Sequence, residues 1–172
     1  MSIAYLGDVA QALLDAGTAA LATATTGRPL PKHRYITHAR PALSGCCDGV
    51  LTVHLGEITH GERYVTDQPQ SCAVLHEPTF VITVARCWPT PEAGAVPSDD
   101  ALDDAAVVLL EDLWALLTEL ADRIGACSLF SGMAACKDAS IVDVMPLEAE
   151  GGCAGWEIRV RLTTNDAGPV GS

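Results

Sequence analysis

The residues of this chain with the greatest chemical reach are its seven cysteines and five histidines. Cys46 and Cys47 are adjacent, while Cys72, Cys87, Cys127, Cys136 and Cys153 are dispersed. A structural zinc site usually carries a knuckle of two cysteines separated by two to four residues, which turns both thiolates onto one tetrahedral ion. No pair here has that spacing, and neighbouring cysteines cannot easily share an ion, so no metal ligand is assigned. The cysteines are expected to be small apolar side chains, mostly buried. The segment Met1 to Asp8 has no basic stretch ahead of an apolar run. An export signal is therefore not expected, and the thiols should stay reduced in a cytosol. His33, His38, His54, His60 and His76 form no H-E-x-x-H pair. Cys47 beside His54 or His76 is a conceivable nucleophile and base, yet no local pattern supports the pairing.

The carboxylates and glycines lead to the same place. Asp99-Asp100 and Asp103-Asp104 fall at the start of a helix, where negative charge offsets the exposed N–H dipoles. No G-x-x-x-x-G-K-[ST] and no strand-to-helix G-x-G-x-x-G is present, which leaves nucleotide binding without a motif. No catalytic residue and no cofactor is assigned. The formal charge is −12, from 22 acidic and 10 basic residues. That balance disfavours gripping nucleic acid by its phosphates, since each contact wants a Lys or Arg. An acidic wall would instead repel DNA passing along it.

Length and patterning define what must position any site. A chain of 172 residues suits one domain, expected over 1–164 with a flexible tail at 165–172. No run approaches the roughly 18–20 apolar residues of a membrane-spanning helix. Ile3, Leu6, Val9 or Ala10, Leu13 and Leu14 recur at helical spacing, so a helix is expected from Ser2, its cap, to about Leu21, weakened near Gly17. His33–His38 reads as a short extended piece. In Val50–Ile58, Leu51, Val53 and Leu55 share one face and Thr52 and His54 the other, which predicts a half-buried strand. Thr59–Ser71 reads as a polar connection. Thr79–Trp88 is β-branched and apolar, so it should be central in the sheet.

Ser98, Asp99 and Asp100 should then cap a long helix to about Ile124, with Gly125 as its stop. Ile141–Met145 predicts a strand ending at Pro146, and Gly151, Gly152 and Gly155 a hairpin connection. In the last strand Trp156, Ile158, Val160 and Leu162 should face in, and Glu157, Arg159 and Arg161 out. The fold class expected is α+β: a single mostly antiparallel sheet of about four to five strands, with an N-terminal helix and one long helix packed on it. The outward row Glu157, Arg159 and Arg161, joined by Arg86 on the central strand, is the candidate subunit interface. Arginine is enriched at interfaces and carboxylate pairing fixes register.

Four stretches also carry a resemblance. They are Gly49–Gly56, Phe80–Pro89, the helical Leu109–Leu117 and Gly151–Val160. In order and local character they resemble the tail terminator (tail completion) proteins of long-tailed bacteriophages, especially those of actinobacteria. The resemblance spans most of 49–164, and the N-terminal helix matches in character. It implies a non-enzymatic virion protein, made in the host bacterial cytoplasm and needing no cofactor. Such a protein forms a homo-oligomeric ring, hexameric in the family, on the head-proximal end of the tail tube. The ring stops tube polymerisation and joins the tail to the neck. The implied partners are the tail tube protein and a head–neck stopper or connector, with genomic DNA passing through the lumen unbound and no membrane involved. Another neck component, such as a stopper or adaptor, is the alternative. A small cytosolic thiol-dependent enzyme using Cys46, Cys47 or His54 is a further one.

Overall fold

The computed structural model describes residues 3–24, 29–43, 45–61, 75–91, 96–126, 128–130 and 136–164. Five strands form one sheet: β1 (His33–Thr37), β2 (Val50–Gly61), β3 (Leu75–Cys87), β4 (Cys136–Glu150) and β5 (Cys153–Thr164). Their spatial order is β1-β2-β3-β5-β4. Every pairing is antiparallel except β1 with β2. Two helices, α1 (Ile3–Ala24) and α2 (Asp99–Gly125), pack on one face. The fold is thus α+β, with β3 central as its apolar, β-branched sequence required.

The inner face follows from alternation. Leu51 and Val53 of β2, Phe80, Ile82 and Val84 of β3, and Ile158, Val160 and Leu162 of β5 are all buried against the helices. From α1 come Val9, Leu13, Ala16, Ala20 and Leu21, and from α2 Leu116 and Leu120. Gly17 lies inside α1 and does not end it. A Cβ there would sit 3.3 Å from Leu51 Cδ2 and 3.4 Å from Leu116 Cδ2, so the missing side chain lets α1 settle on both β2 and α2. The Trp156 indole donates to the Leu109 carbonyl at 2.9 Å, tying β5 to α2. At the start of α2 the Ser98 hydroxyl accepts from the Ala101 N–H at 3.3 Å, the cap expected from the sequence. The expected Ser2 cap and the 165–172 tail lie outside the described residues.

Several boundaries differ from expectation, and each difference has a physical reason. β2 continues through Gly61 and β3 starts at Leu75, because the polar residues between Ile58 and Gly61 find ladder partners from Leu75 to Pro78. β4 continues past Pro146 to Glu150. Proline is tolerated there because β4 is an edge strand, whose outward N–H groups have no sheet partner to lose. Gly155 is not part of the hairpin connection but lies within β5. A Cβ on it would overlap the Val84 carbonyl oxygen and lie 2.8 Å from the Ala85 Cα. Glycine is therefore needed for the close approach of β3 and β5.

Candidate functional site on the outer face of the sheet

The parallel pairing of β1 and β2 forces residues 38–49 to cross the sheet before β2 can begin. That crossing lies over the outer face. Leu43 and Cys46 pack there on Val50, Ala85, Leu147 and Cys153 in a second, smaller apolar cluster. Arg40, from the same crossing, places Nε 2.8 Å from Oε1 of Glu157, whose side chain is almost fully covered.

The rest of the outer face is polar. Register aligns Thr52 with Thr83 and Thr83 with Glu157 in one row, then His54 with Val81 and Val81 with Arg159 in the next. Thr79 lies opposite Arg161. Thr52, His54, Thr79, Thr83 and Glu157 are all buried. Among the described residues, the hydroxyls of Thr52, Thr79 and Thr83, Nδ1 of His54 and Nε of Arg159 and Arg161 are buried without a hydrogen-bond partner. Buried polar atoms in native proteins are nearly always partnered, so such a concentration is unusual.

Two clefts open on this face. One of about 320 Å³ is lined by Arg40, His54, Gly56, Glu57, Thr79, Val81, Glu157 and Arg159. A larger one of about 910 Å³ runs beside it between Pro41–Leu43 and Met145–Glu148, sharing Arg40, Glu157 and Arg159. Burial lowers the pKa of His54, opposed by the Glu157 carboxylate and assisted by the Arg40 and Arg159 guanidinium groups. The imidazole is therefore neutral at pH 7. Where the crossing ends, beside the start of β1, the Lys32 ammonium donates to Asp48 at 2.7 Å and holds that carboxyl below its usual range by the hydrogen bond and by its charge.

The four candidate interface residues have different surroundings. Glu157, Arg159 and Arg161 share the outer face, as alternation required. Arg86 instead ties parts of the fold together. Its Nε donates to Oδ2 of Asp112 at 2.7 Å, its Nη2 to Oδ1 at 3.5 Å, and its Nη1 to the Pro29 carbonyl at 3.2 Å. Asp112 is fully buried. Arg40 belongs to the site but had no sequence signal, since its position depends on the crossing and not on any strand pattern.

The expectation of reduced thiols needs correcting. Cys46 is bonded to Cys153 and Cys47 to Cys87. The reason lies in register: Cys87 and Cys153 are cross-strand partners at the end of β3 and β5. The Trp88 N–H donates to the Gly152 carbonyl at 2.7 Å, which makes Cys87–Cys153 a non-hydrogen-bonded pair with side chains close together on one face. The crossing then delivers two adjacent cysteines onto them. Cys46 and Cys153 are buried, as small apolar side chains would be, and Cys47 and Cys87 are exposed. The pairing of Cys47 also takes its sulfur away from His54. His76 is further still, near the far end of β2 at roughly 3.3 Å per residue from Val50. No known family pattern matches the chain, and no curated protein matches it in sequence.

Proposed function

We propose that the chain is a ring-forming structural subunit of the tail-terminator kind, acting at the head-proximal end of a phage tail tube. There it stops tube growth and joins the tail to the neck. The observation that carries this reading is the outer sheet face, a register-aligned set of buried polar atoms without partners beside two open clefts. Donors and acceptors arranged in this way suit a macromolecular surface that supplies the missing hydrogen bonds on assembly. Arg159 and Arg161, with Glu157 between Arg40 and Arg159, supply charge of both signs for setting register between subunits. The strongly acidic chain also suits a lumen through which DNA slides without adhering.

The test is the position of the protein in purified virions by cryo-electron microscopy, with symmetry imposed only after the density is located. A closed ring between tube and neck is expected. Density beside the portal would reassign the chain to a stopper or adaptor, and absence from the particle would overturn a virion role altogether.

A further inference from the structure

Four of the seven cysteines meet at one end of the sheet, where the crossing of residues 38–49 is pinned to the outer face. Cys46 and Cys47 belong to the crossing, while Cys87 ends β3 and Cys153 begins β5. The two bonds differ in access. Cys46 and Cys153 are 2% and 4% exposed, whereas Cys47 and Cys87 both lie open to solvent. Thiol–disulfide exchange requires a thiolate to reach a disulfide sulfur, so a reductant in solution meets the Cys47–Cys87 bond first.

Reduction of that bond leaves a thiol on Cys87 directly opposite Cys153. The two residues form a non-hydrogen-bonded pair, so their Cα atoms stand about 4.5 Å apart with both side chains on one face. A disulfide usually spans about 4.4–6.8 Å between Cα atoms, so Cys87 and Cys153 can bond without moving either strand. The freed Cys47 thiol has no equivalent route to its neighbour Cys46. Consecutive Cα atoms across a trans peptide are about 3.8 Å apart, short of that span. Cys46, once released, has an acceptor in place, since its Sγ lies 3.5 Å from the Gly152 carbonyl oxygen.

We infer that the four cysteines form an internal exchange relay, in which one two-electron reduction releases both anchors of the crossing. A dithiol first reduces Cys47–Cys87, giving two thiols and leaving as its own cyclic disulfide. Cys87 then loses its proton to water, and its thiolate attacks Sγ of Cys153. The Cys87–Cys153 bond forms, the Cys46–Cys153 bond breaks, and the departing Cys46 thiolate takes up a proton. Two bonds between crossing and sheet thus become one bond within the sheet. The crossing is then held by the apolar cluster around Leu43 and by the Lys32–Asp48 and Arg40–Glu157 ion pairs. Lys32, Asp48 and Arg40 are each more than half exposed, and ion pairs open to water hold weakly. Release of the crossing frees Glu157 from Arg40 and reshapes the outer face assigned above to assembly. That consequence rests on the assembly reading; the exchange itself does not.

The exchange leaves a positional signature. Free thiols of the oxidised protein are blocked with iodoacetamide, one equivalent of dithiothreitol is added, and the new thiols are trapped with N-ethylmaleimide. Tandem mass spectrometry of an unreduced digest then locates every label and bond. Labels on Cys46 and Cys47, with Cys87 bonded to Cys153, should exceed labels on Cys47 and Cys87 at least tenfold. The backbone amides of Cys46, Asp48 and Gly49 are hydrogen-bonded inside the crossing, and in that species they should exchange hydrogen at least tenfold faster. Cys87→Ser removes the attacking thiol, so it should keep Cys46–Cys153 intact at dithiol concentrations that label Cys46 in wild type. Labels confined to Cys47 and Cys87, or an exchange product bonded Cys46–Cys87 or Cys47–Cys153, would overturn the relay. So would a Cys87→Ser protein that loses Cys46–Cys153 as readily as wild type, or aerobically prepared protein with all four thiols free. None of these outcomes depends on where the protein lies in a virion.

Discussion

Asp112→Ala should be the most damaging single charge removal among the described ion pairs. Asp112 is fully buried and its side chain accepts two hydrogen bonds from Arg86, at 2.7 and 3.5 Å. The Arg86 side chain is itself only 12% exposed, so water cannot replace the lost carboxylate. Breaking one partner of a buried pair leaves an uncompensated charge and costs about 3–5 kcal/mol. The partial exposure of Arg86 and its third hydrogen bond, to the Pro29 carbonyl, put the expectation at the lower end, about 3 kcal/mol. For a domain of this size that amounts to a Tm loss of roughly 6–12 °C. The pair joins α2 to β3, so the loss should be global and not confined to a loop.

A double-mutant cycle separates the pair from its surroundings. Asp112→Leu with Arg86→Met replaces both charges by apolar groups and should cost less than Asp112→Ala alone, because no charge is left unpaired. Urea unfolding followed by far-ultraviolet circular dichroism measures Asp112→Ala, the single variants Asp112→Leu and Arg86→Met that close the cycle, and the double variant. An Asp112→Ala variant within about 1 kcal/mol of wild type, or a cycle with no coupling between the two positions, would refute the argument that this pair is a buried, mutually dependent one.

Two further outcomes are expected from the same protein. Reducing the Cys46–Cys153 and Cys47–Cys87 bonds opens loops of 107 and 40 residues. Chain entropy assigns about 4–5 kcal/mol to each, and the overlap of the loops makes the combined loss smaller than the sum. Excess dithiol should therefore lower Tm clearly; a Tm indifferent to reductant would show that the bonds do not constrain the unfolded chain. His54 gives a pH dependence whose sign follows from its lowered pKa. The unfolded chain takes up a proton near the ordinary value of 6.5 while the folded imidazole remains neutral. The stability held by neutral His54 is then full above that pH, falls as pH drops through it, and levels off below the folded value. His54→Gln should remove this component, and a wild-type minus variant difference that stays flat from pH 8 to about 5 would contradict it.

What the sequence made legible was whatever depends on local period. The alternation in β2 and β5 assigned both faces correctly, and the Ser98 cap located the start of α2. Pairing beyond the strongest periods was less visible. Ile58–Gly61 has weak alternation and becomes strand only because β3 supplies ladder partners opposite it. The disulfides were hidden because their partners are 107 and 40 residues apart and meet only through sheet register. Gly17 could be read locally only as a weak point of α1, since helix propensity penalises glycine by about 1 kcal/mol; its close packing on Leu51 and Leu116 depends on the tertiary fold and had no local signal.

One topological choice underlies most of the features that sequence reading missed. Had β1 paired antiparallel with β2, a short turn would have sufficed, and nothing would cross the outer face. Parallel pairing requires residues 38–49 to travel back along the sheet. That path brings Arg40 to Glu157 and sets Cys46 and Cys47 against Cys153 and Cys87. It also leaves β1 as a five-residue edge strand carrying Arg34, Tyr35 and Ile36. Natural sheets blunt their edges with charge, short strands or bulges, because an unpaired ladder invites association. β4 is blunted in this way, with three register shifts and Pro146. β1 is short and carries Arg34, yet it exposes Tyr35 on one face and Ile36 on the other. The two edges of one sheet are thus protected differently, β4 by proline and register shifts and β1 by shortness and the charge of Arg34.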